Sequence, residues 1–547
     1  MESAEQMQDG IMIVKLPNGR AFCPSQSLTP GQYRAIVAQP QHYYSEKNRT
    51  FSFVPTPYGI ASLMDENLAV DPELASLGKQ WHDFSRREAH ASKPLTSRYA
   101  SVLNKTPWDH QESAIDFAAH CPSPYFDMGM GVGKSLCTIA TLAACNHKRT
   151  LILCPKAVVG VWPREFRKHS RGDFVVVPLD QNSSKKKVEH ADRWMKANPS
   201  EKMVFICNYE SAIQDVLSKW ICSTNWDSVV CDEIHKIKSP TGAAARMCAT
   251  IPRGHPLGLS GTMLPHDPLD VWSQYRFLDA AIFGTSFTMF KRRYCDLGMY
   301  NEVRRFIGLD ELHQKINLIR HHVPSTVLGL PPVTHNEFRF ALSPTVKKAY
   351  DKFKKELFAE IQGGVVTAAN VLVRGLRLQQ LTSGFFIDDE SKECISLDDR
   401  PKIAAFEEWL DSVPRNKKAV VFVRFKHDAD AVLEVVKRNG RRTAELSGRR
   451  NDLTADATFP EDADVLVANI ASGGVGVDLT AASYGCYYSI SWNRGEYEQS
   501  IARLNRPGQN DHVTFAHLIA DDTIDPEIYE AFEEGRDLVQ AVLSGLC

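Results

Sequence analysis

The sequence predicts an α/β protein: two parallel-sheet regions wrapped by helices, helices between them, and a small α+β domain in front. Three observations carry this. From Pro107 onward, and again from about Arg400-Pro-Lys402, short apolar runs alternate with amphipathic stretches, the pattern of strands joined by crossover helices. The first alternating region opens on a glycine-rich phosphate loop. The first hundred residues instead read as a hairpin followed by short helices.

The phosphate loop is Asp127-Met-Gly-Met-Gly-Val-Gly-Lys-Ser135. A short apolar run ends at Phe126, and Leu136 to Ala144 is small and apolar, so a strand enters the glycines and a helix leaves them. Gly129, Gly131 and Gly133 let the backbone approach phosphate, and the new helix aims unpaired N–H groups and its positive dipole end at the anion. Lys134 is the expected partner of the β/γ phosphates of ATP, and Ser135 the expected hydroxyl ligand of magnesium. Met128 stands where the usual first glycine would be.

The 547 residues, 43% hydrophobic and 24% charged, suffice for several cores, and two to four domains are expected. No apolar run approaches the roughly 18 residues of a membrane helix, and the start Met-Glu-Ser-Ala-Glu is acidic where a signal peptide is basic, so a cytoplasmic, membrane-free protein is expected. The thirteen cysteines form no C-x-x-C pair, so reduced core thiols are expected and no zinc site. A net charge of -2 excludes a basic coat and confines any nucleic-acid contact to a local patch.

Ile11 to Leu16, then Pro17-Asn18-Gly19, then Arg20 to Cys23 predicts a hairpin, and Pro30 to Ala38 a helix. In Tyr43-Tyr44-Ser-Glu-Lys47-Asn-Arg49-Thr-Phe51-Ser-Phe53 aromatics alternate with polar and basic residues across a turn. They suit either stacking on nucleic acid or the core of a small sheet. A helix through Ile60 to Met64 follows, and about Asp65 to Lys105, charged and without apolar periodicity, reads as a helical connector.

In the first alternating region Trp108-Asp-His-Gln111 opens a helix, and the Gln111 amide could both donate to and accept from an adenine edge. Thr150 to Cys154 and Met203 to Cys207 are buried strands. Val229-Val230-Cys231 delivers Asp232-Glu233-Ile234-His235 at a strand's carboxyl end, where Asp232 would hold magnesium and Glu233 would polarise the attacking water. His235, with Ser260 and Thr262 of the Leu-Ser-Gly-Thr turn, would couple nucleotide state to movement. Lys185 to Lys187 are expected on the surface.

In the second region Ala419 to Val423 and Val465 to Ala468 are strands, and Ser472-Gly-Gly474-Val-Gly476-Val-Asp478 is a loop that permits close approach to phosphate. Gln499-Ser-Ile-Ala-Arg503-Leu-Asn-Arg506-Pro-Gly508-Gln509 is expected as a helix, with Arg503 and Arg506 on one face as arginine fingers.

Taken in order, G-V-G-K-S, L-C-P-K, D-E-I-H-K-I-K and L-S-G-T resemble the Swi/Snf-type branch of superfamily 2 helicases and translocases, over roughly residues 105 to 535. The segment around Tyr43 to Phe53 resembles the HARP-type substrate-recognition modules of annealing helicases. The resemblance implies two RecA-like lobes closing on magnesium-ATP, with nucleic acid gripped by lobe residues including Trp492 and Gln499 and, in the HARP-like segment, by Lys47 and Arg49. It departs at Ile470, Asp478 and Ser489, where a threonine-like residue, asparagine and an acid are usual. The expected organisation is an accessory domain at 1–65, a connector at 66–104, a first lobe at 105–279, a helical insert and link at 280–398, and a second lobe at 399–547. Phe290 to Tyr294 and Ser343-Pro344 open helices of that insert, the latter bearing Lys347, Lys348, Lys352, Lys354 and Lys355. The implied function is ATP-driven translocation on double-stranded or forked DNA by a monomer, nucleoid-associated when bound. Strand separation or fork annealing would use the same engine. A scaffold with a degenerate ATPase is disfavoured by intact Lys134, Asp232, Glu233, Arg503 and Arg506.

Overall fold

The expected hairpin strands pair: β1 (Met12–Lys15) runs antiparallel to β2 (Ala21–Pro24), while Pro17 and Asn18 of the turn lie outside the described residues. This computed structural model describes residues 12–16, 19–26, 28–89, 101–172, 174–261, 267–299, 301–362, 368–388, 393–397, 401–470 and 477–534. Next come α1 (Pro30–Val37), β3 (Tyr43–Ser45), β4 (Thr50–Phe53), α2 (Pro57–Asp65), β5 (Ala69–Val70) and α3 (Pro72–Ala89). The sheet order is β3-β4-β2-β1-β5. The α1 start is fixed by a capping box in which Thr29 and Gln32 satisfy each other's backbone N–H. Alternation in β4 turns Phe51 and Phe53 into the core, while Tyr43 and Tyr44 on β3 stay exposed.

The segment expected to be a helical connector without apolar periodicity does hold a helix, α3, but that helix carries an apolar stripe. Leu74, Trp81 and Phe84 of α3 are all buried, one apolar stripe at helical spacing interrupted in sequence by charged residues. That stripe ties the small domain to the first parallel sheet. Tyr58 of α2 meets Trp81 at 5.0 Å between ring centroids, Trp81 meets Phe84 at 5.7 Å, and Phe84 meets Phe117 at 5.4 Å. Each contact is edge-on, the favoured geometry for aromatic quadrupoles.

The first sheet region then unfolds in the expected alternation. Its elements are α4 (Asp109–His120), β6 (Tyr125–Met128), α5 (Lys134–Ala144), β7 (Arg149–Cys154), α6 (Trp162–His169), β8 (Phe174–Pro178), α7 (Ser184–Ala197) and β9 (Lys202–Asn208). They continue with α8 (Tyr209–Ala212), α9 (Asp215–Ser223), β10 (Trp226–Asp232), α10 (Ala243–Thr250), β11 (Arg253–Ser260), α11 (Val271–Leu278), α12 (Ala280–Phe283), α13 (Phe287–Tyr294), β12 (Cys295–Leu297), β13 (Val303–Phe306), α14 (Leu309–Asn317) and β14 (Arg320–Val323). Phe290 to Tyr294 thus closes α13 and does not open a helix. The seven-stranded sheet has the order β14-β6-β11-β10-β7-β9-β8 and is parallel throughout. Lys187 departs from the expected surface position. It is buried on the inner face of α7 beside Ala191 and gives its ammonium to the Leu179 carbonyl, the stem packing while the charge finds a partner.

The chain divides into two compact units at 327/328, within the segment expected to be the insert. The second unit holds β15 (Thr334–Phe340), α15 (Pro344–Gln362), α16 (Ala368–Thr382), β16 (Phe385–Ile387), β17 (Cys394–Ser396), α17 (Pro401–Ser412), β18 (Lys418–Val423), α18 (Lys426–Arg438), β19 (Thr443–Leu446), β20 (Val465–Asn469), β21 (Ala482–Tyr487), α19 (Arg494–Leu504), β22 (Thr514–Ala520) and α20 (Asp525–Glu534). Its six-stranded sheet, β15-β22-β21-β18-β20-β19, is also parallel throughout. The fold class read from the sequence therefore holds: two RecA-like parallel-sheet lobes, helices between them, and a small α+β domain. On the α15 stripe Lys347 pairs with Asp351 and Lys352 with Glu356, a solvated helix face. No helix among the described residues is long and apolar enough to cross a membrane.

Because Phe84 links the small domain to α4, Phe84→Ala should cost about 3–5 kcal/mol. Urea unfolding followed by tryptophan fluorescence checks this, and an unchanged midpoint would remove the aromatic chain from the account.

Candidate nucleotide site

Register brings the motifs together. In the parallel sheet Ser260 pairs with Asp127 and Leu259 with Asp232, so the ends of β6, β11 and β10 lie side by side at the carboxyl edge. That edge is where open α/β sheets bind ligands. The loop after β6 turns into α5 at Gly133, whose φ of +102° is open to glycine and strained for other residues. A Cβ there would also lie 2.4 Å from the Gln111 amide nitrogen. Gly129 is required by close approach: a Cβ would lie 2.6 Å from the backbone nitrogen of Ser325. Gly131 is exposed in the loop, and Ser135 is half-buried in the first turn of α5. Lys134 Nζ donates to the carbonyls of Met128 at 2.9 Å and Gly129 at 3.3 Å. Met128 thus serves the loop through its carbonyl, while its side chain is fully buried.

Gln111 has both ends of its amide engaged. Its oxygen accepts the Trp108 N–H at 3.0 Å, and its nitrogen donates to the Val132 carbonyl at 2.9 Å. The side chain thereby latches the start of α4 to the phosphate loop.

At the end of β10 Asp232 is buried, and burial first, then the neighbouring Glu233 charge, pushes its carboxyl up to about 7. One oxygen accepts from Trp162 Nε1 at 3.0 Å, and Tyr209 donates its hydroxyl to the Asp232 carbonyl at 2.9 Å. Glu233 is held at φ 50°, ψ 56°, a left-handed conformation that costs a non-glycine residue about 1–3 kcal/mol and tends to occur at functional sites. Its carboxylate lies 3.3 Å from His235 Nδ1, and burial lowers the His235 pKa below the ordinary histidine value. Ser260 is fully buried at the end of β11. Thr262 lies outside the described residues.

Three positioning residues had no role assigned from sequence. Trp162 and Tyr209 hold Asp232. Arg320 of β14 pairs with the buried Asp127 carboxylate through Nε at 2.8 Å, joined by His322 Nδ1 at 2.7 Å. Trp162 lies in an amphipathic helix and Arg320 on an edge strand, so neither carries a local signal; only the register brings them in.

In the second unit Gly474 and Gly476 lie outside the described residues. Arg503 and Gln499 are half-buried on α19. The expectation that Arg503 and Arg506 share a helical face is corrected: α19 ends at Leu504, and Asn505 leaves the helical region at φ -91°, ψ 86°. Pro507 disfavours helix at Arg506, and Gln509 caps the end by donating to the Leu504 carbonyl at 3.1 Å. Arg506 Nη1 lies 3.5 Å from the Val477 carbonyl and 3.9 Å from Asp478. Trp492 packs beneath the Arg424 guanidinium at 5.5 Å and against Gly375. Lys47 and Arg49 are exposed on the β3–β4 turn.

Residues 126–384 match the SNF2-related domain family, and residues 401–508 match the helicase conserved C-terminal domain. The two matches lie in tandem along the chain, the SNF2-related one first. Both are domains of helicase-like, ATP-hydrolysing enzymes. An uncharacterized ATP-dependent helicase of Mycoplasma genitalium is 23% identical over 431 residues, 76% of this chain and 40% of its own length. The chromodomain-helicase-DNA-binding protein 1-like of Danio rerio is 24% identical over 453 residues, 76% of this chain and 43% of its own. The Sulfolobus solfataricus SWI2/SNF2 ATPase core in complex with dsDNA aligns with TM-score 0.39 at 19% identity, covering 81% of this chain and 94% of that one. This chain spans about two fifths of the length of the mycoplasma helicases it matches.

Two outcomes follow for the SNF2-related domain. Trp162→Phe keeps an aromatic side chain but removes the indole N–H given to Asp232 together with some buried volume, and should cost about 1–3 kcal/mol or more in chemical unfolding; an unchanged stability would contradict the contact. The raised Asp232 pKa means the folded state binds the extra proton between the ordinary 3.8 and about 7. This contribution is therefore fully present below pH 4 and is lost as pH rises through about 7. Asp232→Asn should abolish that loss, a few kcal/mol at about 1.4 per unit, in paired unfolding curves at pH 4 and pH 8.

Proposed function

We propose that this chain is an ATP-driven translocase on double-stranded DNA whose hydrolysis is stimulated by that DNA. The observation that carries the ATPase half is the alignment of the Lys134 loop, Ser260 and the Asp232–Glu233 pair along one carboxyl edge. The donors offered there, the Ser135 hydroxyl and the Asp232 carboxylate, are oxygens, which suits a hard cation such as magnesium. When bound, magnesium would neutralise charge on the transferred phosphoryl group. Lys134 would leave the Met128 and Gly129 carbonyls for phosphate oxygens. Glu233, held in its left-handed turn, would orient the attacking water, with His235 beside it. In this reading Arg503 and Arg506 are the arginine fingers of the reaction, and Gln111 acts on adenine only by exchanging its present partners.

Double-stranded DNA is favoured by the SNF2-related domain and by the DNA-binding name of the zebrafish relative. Contacts would be chiefly to phosphate, hence indifferent to sequence and sensitive to salt. A fork-remodelling variant is supported by the small domain. Tyr43 is 66% and Tyr44 41% exposed, on the hairpin that also carries exposed Lys47 and Arg49, an arrangement able to stack on and grip nucleic acid. This is the segment that resembles HARP-type modules.

Lys134→Ala, Glu233→Gln and Arg506→Ala should each abolish hydrolysis, the last by roughly a thousandfold or more. The test is ATP turnover of wild type and each variant, titrated with duplex, single-stranded and forked DNA and with duplex RNA. Plain duplex should stimulate wild type most. Stimulation only by single strands or RNA would replace translocation by strand separation, preference for forks would make the small domain central, and no hydrolysis on any of them would leave a binding scaffold.

A further inference from the structure

The end of α5 opposite the phosphate loop gathers one thiol and two imidazoles. The helix stops in a Schellman turn: Asn146 N–H donates to the Ala143 carbonyl and His147 N–H to the Leu142 carbonyl, both at 3.1 Å, with Asn146 at φ 55°. This fixed turn carries Cys145 and His147. Near the amino end of β11, His255 completes the group, and one atom from each of the three side chains lies within 4.8 Å of the others. Cys145 and His147 are half-buried and His255 is buried, so the cluster is reachable from solvent and backed by the core.

The hydrogen bonding of His255 decides which lone pair it presents. Its Nε2 lies 3.0 Å from the Cys121 carbonyl, which can only accept, so Nε2 carries the proton and Nδ1 is left bare. Bare Nδ1 faces His147 Nε2 at 3.0 Å. A ring N–H given to a backbone carbonyl, with the opposite nitrogen turned to a shared centre, is how metal-ligating histidines are oriented. Tetrahedral zinc, with bonds of about 2.0–2.3 Å, places its ligand atoms about 3.3–3.6 Å apart. The pair of imidazoles is already close to that span, and the sulfur needs a shift of about an ångström.

We propose that Cys145, His147 and His255 bind a zinc-class divalent cation, leaving the fourth position to water. One thiolate with two imidazoles is a borderline-soft donor set of the kind zinc selects. The absence of a C-x-x-C pair hid it, since the ligands form a Cys-x-His turn joined by a distant strand residue. Binding exchanges the thiol proton for the cation, and the proton goes to solvent. Burial pushes the Cys145 thiol up to about 11, so one proton leaves per cation bound at neutral pH. The bound cation would cross-link the end of α5 to β11, the strand that ends at Ser260.

The test is titration of the chelator-treated full chain with cobalt(II), a coloured stand-in for zinc, followed by displacement with zinc. One equivalent should give a thiolate-to-cobalt charge-transfer band. Cys145→Ser should remove the band, and His147→Gln should weaken binding about tenfold or more. Zinc should raise the thermal midpoint of wild type and not of Cys145→Ser. No band in wild type, or a band that survives Cys145→Ser, would overturn the proposal; the second variant serves if the first fails to fold.

Discussion

The carboxylate of Asp232 is withdrawn from water beside a second acid, and much of the first lobe can be read as what makes that placement tolerable. A buried charge needs partners or it takes up a proton. Trp162 supplies one donor from α6, Lys134 supplies positive charge from the first turn of α5, and Tyr209 pins the backbone from the residue that follows β9. Remaining strain sits in Glu233, which takes a left-handed conformation immediately after the strand. A divalent cation, if bound there, would relieve the repulsion between the two acids.

That geometry depends on register, and register depends on elements far from the loop. Parallel pairing of β6 with both β11 and β14 fixes where the phosphate loop begins, and the Asp127–Arg320 pair closes the outer side. The small domain adds to the same body. Its α2 and α3 meet the lobe through the Tyr58–Trp81–Phe84–Phe117 rings and through the buried Asp279 carboxyl, which accepts the Tyr58 N–H at 3.2 Å. A force on the exposed tyrosines of β3 is therefore transmitted into a packed unit and not into a tether.

Local chemistry was legible in the sequence where a motif is contiguous. The phosphate loop, the Asp232–Glu233 turn and the alternation of strands and helices all declare themselves within a few residues. What stayed hidden is nonlocal or interrupted. The α3 stripe is masked by the lysine, acids and arginines that share its helix, and Lys187 looks like its exposed neighbours until the helix face is known. Trp162 gains its meaning from a contact 70 positions away, and Arg320 and the Cys145–His147–His255 group from contacts across more than a hundred. The arginine helix was read too long because its periodicity continues past the point where proline stops it.

The early end of α19 changes how its two arginines can act. Arg503 rides on a helix, so its side chain starts from a fixed stem, whereas Arg506 follows Asn505 on irregular backbone ahead of Pro507. Its neighbour Asp478 occupies a position where the resemblance implies a neutral amide, and the two charges are 3.9 Å apart. An acid there gives Arg506 a place to rest at modest strength, since a half-exposed pair at that distance contributes about 1 kcal/mol or less. Phosphate, with more charge and more acceptor oxygens, would outcompete it. If Arg506 acts as a finger, so weak a contact with Asp478 would leave its guanidinium able to exchange the acid for phosphate.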